Sequence, residues 1–218
     1  MIMYGKSIVI TIIAMIIMAC GPIATTPADT YTLSIPSKPE VSDHAKTNLT
    51  LLVSMPIASA GYQTSAMIYV ATPYELNAYA NSRWVAPPAE MLMPLFFQAL
   101  QRTNYFYAVV SPPFAGVTQL RLDTQLLKLQ QEFLLPTSQV RLIIQVALVN
   151  NVTNQIVGSK QFVVVIPAIE NNAYGGVLAT NKAAVIVSAR IAEFVVQQAK
   201  ERAGQIRSHV NHDQVSHK

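Results

Sequence analysis

VRLIIQVALV (140–149) puts Val140, Leu142, Ile144, Val146 and Leu148 on one side of an extended chain, with Arg141, Ile143 and Gln145 on the other. A repeat of two is the side-chain period of a β-strand, so this stretch reads as a strand with one buried face. NNVTN (150–154) comes next as a polar turn, and QIVGSKQFVVVI (155–166) resumes the apolar, β-branched character. Two such runs across a short polar link form a long antiparallel hairpin. Upstream, LRLDTQLLKLQQEF (120–133) alternates in its first half, Leu120, Leu122 and Leu126 against Arg121, Asp123 and Gln125, and supplies a third long strand.

Outward from this unit the period changes. After a loop over 168–176 ending in Gly175-Gly176, residues 177–202 carry Ala184, Val187, Ile191, Phe194, Val195 and Gln198 at roughly helical spacing. Lys200 and Arg202 near its end complement the helix dipole. The segment from Gly204 is polar and is expected to be a disordered tail. On the other side, Pro87-Pro88 suits a helix start, and Met91, Leu95, Phe96, Ala99 and Leu100 share a face behind it. Pro94 lies inside that helix and is expected to kink it or shorten its first turn. Short apolar runs at 49–55, 67–71, 75–79 and 106–110 read as further strands. Strand runs interleaved with two helices give α+β: a mostly antiparallel sheet with both helices packed on one face. The folded domain is bounded at 47–203, with 204–218 as the tail.

The amino terminus has a different logic. Lys6 precedes an uncharged apolar run over 8–18, and Ile17-Met18-Ala19-Cys20 closes it. A run of about 10–12 residues is too short to span a bilayer core of about 30 Å but suits the h-region of a signal peptide. Residues 1–19 are therefore read as the leader, with cleavage between Ala19 and Cys20. Ile-Met-Ala-Cys resembles the lipobox of bacterial lipoproteins, in which the cysteine thiol becomes thioether-linked to diacylglycerol. Cys20 is the one cysteine of the chain, so an internal disulfide is impossible. Two or more acyl chains anchor firmly where one anchors marginally. By resemblance to the sorting rule of Gram-negative lipoproteins, Gly21 after the cysteine points to the periplasmic face of the outer membrane. Residues 20–46, with Pro22, Pro27, Pro36 and Pro39, read as a tether, within which Tyr31-Thr32-Leu33 suits a short strand or docking segment.

The net charge of +4 comes from scattered residues without a basic run, so nucleic-acid binding has no footprint. His44, His209, His212 and His217 all lie in the tether or the tail, and the carboxylates of the domain occur singly. No catalytic constellation, metal set or cofactor is expected beyond the covalent lipid on Cys20. Asn171-Asn172-Ala173-Tyr174-Gly175-Gly176 lacks the lysine of a phosphate loop.

The order of elements and several residues resemble the ABC-type transport auxiliary lipoproteins, the paraquat-inducible protein C group. The carriers are Tyr31-Thr32-Leu33 soon after the cysteine, Ala80-Asn81-Ser82-Arg83-Trp84-Val85 before Pro87 and the first helix, the long hairpin, and the Ala/Ser-containing helix over 183–196. The resemblance implies a non-enzymatic periplasmic component of an intermembrane lipid transport system. Its implied partners are an ABC permease and ATPase and an MCE-domain (mammalian cell entry) protein, besides the membrane itself and further copies of the chain in a ring. A lipid-carrying binding module, and a structural lipoprotein assisting secretion or outer-membrane assembly, are the alternatives.

Arg83-Trp84 joins a planar cation to the one tryptophan, a combination frequent in interface hot spots. The plainer reading has Trp84 capping the core and Arg83 paired with a nearby carboxylate. Tyr69, Tyr74, Tyr79, Tyr105 and Tyr107, with Met67, Met91, Met93, Phe96 and Phe97, would line a groove or, more simply, pack the core.

Overall fold

A computed structural model of the chain describes residues 27–34 and 47–216, with side chains as far as Gly204. The leader, Cys20 and most of the tether lie outside the described residues. The described part forms one sheet of nine strands with two helices on one face.

Three long strands make its backbone. β7 (Leu120–Glu132), β8 (Gln139–Asn150) and β9 (Gln155–Pro167) pair antiparallel in sequence order. The alternation seen in the sequence sets the register: Val140, Leu142, Ile144, Val146 and Leu148 are all buried, because a slip of one residue would turn the whole apolar set to water. The β8–β9 turn is held by Asn150, whose Oδ1 accepts the backbone N–H of Val152 at 3.0 Å. Asn154 closes it with φ +57°, a left-handed conformation that asparagine tolerates better than most residues.

The other edge of β7 is shared by three short strands in succession. β2 (Thr50–Val53), β3 (Ile57–Ala58) and β4 (Ala66–Val70) each pair with it in parallel. The sheet forks there. β2 continues to β6 (Ala108–Val110), while β4 continues to β5 (Asn77–Trp84) and then to β1 (Asp29–Tyr31). The sheet is thus mixed. Its long ladders are antiparallel, as expected, and the short parallel ones were not legible in the sequence. The strand expected at 75–79 begins at Asn77 and runs on to Trp84, taking in the Arg-Trp segment.

Helix α1 (Pro88–Arg102) starts with Pro87 as its cap and Pro88 at the first position. It continues through Pro94, which lies inside it. Pro94 is exposed, so the carbonyl that loses its partner can bond to water instead. Helix α2 spans Ala173–Ser216, longer than the expected 177–202, and the boundary drawn at Gly204 falls within it. Its buried face repeats every three or four residues through Val177, Ala184, Val187, Ile191 and Val195. Alanines at 179, 183, 192 and 199 are buried as well, and such small side chains allow close approach. Two buried hydroxyls on this helix, Thr180 and Ser188, donate to the carbonyls of Gly176 and Ala184, so neither is orphaned.

Candidate functional site at the docked amino-terminal segment

The segments singled out in the sequence meet at one place. β1 lies parallel to β5, with Tyr31 opposite Trp84 and Thr30 opposite Arg83. The carbonyl of Tyr31 accepts the N–H of Val85 at 2.7 Å, and its ring centroid is 6.1 Å from that of Tyr174 in the first turns of α2. Leu33 is buried in the core. Asn181 of α2 clamps the next residue: its Oδ1 accepts the N–H of Ser34 at 2.8 Å while its Nδ2 donates to the carbonyl of Val177 at 3.0 Å. Residues 29–34, within the 20–46 stretch read as tether, are therefore part of the fold, with a strand ending at Tyr31 and a docked Leu33 where a short strand or docking segment was expected.

Trp84 is only 3% exposed and seals the core, in agreement with the plainer reading. Its neighbour Arg83 is exposed. The expected carboxylate partner is not there: the ion pairs among the described residues are Arg121–Asp123 and Arg141–Glu132. The reason is positional, because the residues paired with Arg83 across the sheet are Thr30 and Ala66, neither of them charged.

Behind Trp84 sits Gln131, which sequence reasoning missed. Its Oε1 accepts the phenol of Tyr79 at 2.9 Å, and its Nε2 donates to Ser138 Oγ at 2.8 Å and to the carbonyl of Asn172 at 3.2 Å. One amide thus ties β5, β7, the β7–β8 turn and the start of α2. Gly176 lies against it, and a Cβ there would push the Gln131 amide out of its present position. Burial, and then the neighbouring Tyr69 phenol, push the Tyr79 hydroxyl up to about 12, so it stays protonated and donates. The Gly175-Gly176 pair was the one available signal for this junction.

The aromatic and methionine set divides. The Tyr69 ring lies tilted against that of Tyr79, centroids 4.8 Å apart, and Met67, Met91, Phe96 and Tyr105 are core, while Tyr74 and Tyr107 face solvent. The cavity between Met67, Tyr79, Trp84, Leu129, Val140 and Thr180 has about 10 Å³ of room. That holds roughly one water and no acyl chain.

A second polar cluster gathers at the end of β7. Arg141 meets Glu132 through two hydrogen bonds of 2.8 and 3.0 Å, and Gln130 and Gln139 also donate to that carboxylate. Burial alone would raise Glu132, but the hydrogen bonds from Arg141, Gln139 and Gln130 outweigh it and hold the carboxyl below its usual range. This is a satisfied structural network.

The family model for the ABC-type transport auxiliary lipoprotein component matches residues 31–192, from the docked tyrosine well into α2. The chain belongs to that family. It is accordingly an auxiliary lipoprotein of an ABC-type transport system, a component of the cell envelope. No curated protein matches this family member in sequence. Among solved structures, protein XCC0632 from Xanthomonas campestris is 16% identical with a TM-score of 0.71, over 82% of this chain and 99% of that one. A second, of an uncharacterized protein, is also 16% identical, with a TM-score of 0.62 over 78% and 99% of the two chains. At such identity these likenesses establish the fold. No helix among the described residues is long and apolar enough to cross a membrane.

Proposed function

We propose that this auxiliary lipoprotein is held at the periplasmic face of the outer membrane by acyl chains on Cys20. There it acts without catalysis as the outer-membrane-side partner of an ABC/MCE-type system that moves lipids between the membranes. The observation that carries the reading is the docking of residues 29–34. Cys20 precedes Asp29 by nine residues, so the anchor and the sheet lie within about 30 Å of each other even if that stretch is fully extended. A domain so tethered is a positional device. It keeps a partner-binding surface within that reach of the leaflet.

Two surfaces suit partners. Arg83 is exposed beside the docked segment, next to a rigidly held tryptophan. Among the described residues β9 pairs only with β8, which leaves one edge of a long strand open for further copies of the chain in a ring or for the MCE-domain protein. The test is purification of the tagged lipoprotein from envelopes after mild cross-linking. Recovery of MCE-domain, permease or ATPase subunits is the expected result, with recovery reduced by Arg83→Glu at unchanged thermal stability. Recovery of secretion or outer-membrane assembly components instead would break the proposal.

A further inference from the structure

The three loops at one end of the sheet carry apolar tips. β4 ends at Val70 beside Glu132, and the N–H of Phe133 donates to the carbonyl of Val70 at 2.8 Å, so the β4–β5 and β7–β8 turns are neighbours. Asn171 binds the β7–β8 turn twice: its Nδ2 donates to the carbonyl of Pro136 at 2.9 Å and its Oδ1 accepts the N–H of Ser138 at 2.8 Å. The loop before α2 therefore joins the same end. These loops expose Tyr74 (105%), Leu76, Leu134, Leu135 (59%), Ile169 (82%) and, one turn on, Tyr174. The loop sequences ATPYEL, FLLPTS and AIENNAY contain two acids and no lysine or arginine.

The direction of the chain points this end somewhere. β5 starts just after the β4–β5 turn, and β1 is parallel to it, so β1 has its amino-terminal end on the side of the apolar loops. We infer that this end of the domain lies against the lipid surface, with the tips of the three loops seated in the headgroup region of the leaflet that holds the acyl chains. The inference rests on the proposed acylation of Cys20. Leucine, isoleucine and tyrosine at loop tips are suited to such an interface, tyrosine through its apolar ring and wet hydroxyl. The anchor makes the contact intramolecular, so a weak apolar contribution suffices. The β8–β9 turn lies about 40 Å away along the hairpin. Turning that end to the leaflet would consume nearly the whole tether. Without basic residues, the contact needs no anionic lipid.

The experiment uses the mature, acylated chain in phosphatidylcholine vesicles with brominated acyl chains, which quench tryptophan on contact. Leu135→Trp and Ile169→Trp report on the apolar end, Val152→Trp on the far turn, and buried Trp84 is the internal reference in all three. The expected result is several-fold stronger quenching at 135 and 169 than at 152, unchanged when phosphatidylglycerol is added. Vesicle flotation without quenching at 135 and 169, or with equal quenching at 152, would overturn the inference and leave the anchor standing. Failure of the wild-type protein to float would overturn both.

Discussion

The two edges of β7 are built in opposite ways. Along one, β8 pairs antiparallel over the whole strand, with a single register shift between Leu126 and Lys128. Along the other, β2, β3 and β4 each take a few residues in parallel. The first edge joins neighbours in sequence through a short turn, so its pairing is favoured as soon as the turn forms. The second joins segments 62 to 69 residues apart in the chain, so closing the long intervening loop opposes its pairing until other contacts form. The antiparallel edge gives the domain a rigid spine. The forked edge gathers Tyr31-Thr32-Leu33 and Arg83-Trp84, segments some 50 residues apart.

The largest expected effects test whether both edges share one core. Trp84→Ala on the forked side and Leu142→Ala on the spine should each cost roughly 3–5 kcal/mol, seen as lower urea midpoints. If the two sides unfold together, each variant will show a single transition by every probe. A separate early transition in the Trp84 variant alone would show that the forked side is an independent unit.

A smaller effect is expected at the network that backs the spine. Glu132→Gln leaves Arg141 without its carboxylate and should cost about 1–3 kcal/mol. The carboxyl is held below its ordinary range in the fold. Its stabilising contribution is therefore complete above the unfolded-state value and is lost as pH falls through the depressed one. Wild type should lose stability across that acidic window, and the variant should lose less. Equal pH slopes in thermal melts would show that Glu132 does not account for the acid sensitivity.

Next comes the hairpin turn. Asn154→Val forces a β-branched residue into the left-handed region and should cost about 1–2 kcal/mol, read in the same urea titration. Arg83→Ala closes the series with a change inside about 0.5 kcal/mol. If it proved as damaging as the Asn154 variant, Arg83 would have a structural partner and the interface role proposed for it would fall.

Much of the spine was legible because its signals are local. Alternation at Val140, Leu142, Ile144, Val146 and Leu148 fixed a strand and its buried face, and the asparagines after it marked the turn. The periodic faces of both helices were readable for the same reason. Arg83-Trp84 and Tyr31-Thr32-Leu33 stood out as segments, but their adjacency was not visible, because parallel pairing between distant strands leaves no periodic trace. Gln131 was invisible too. A glutamine on a strand looks like a solvent-facing residue until Tyr79, Ser138 and Asn172 are brought around it.

The sequence by itself determined the α+β class, the long antiparallel ladders, the helix faces and the lipobox-like segment ending at Cys20, since each depends on side-chain period or on a contiguous motif. Only the tertiary structure decided that the forked edge is parallel, that residues 29–34 dock, that Arg83 has no ion-pair partner among the described residues, and that three apolar loop tips share one end. Those outcomes depend on which distant segments bury each other's backbone and apolar surface, and that competition is settled across the whole chain at once.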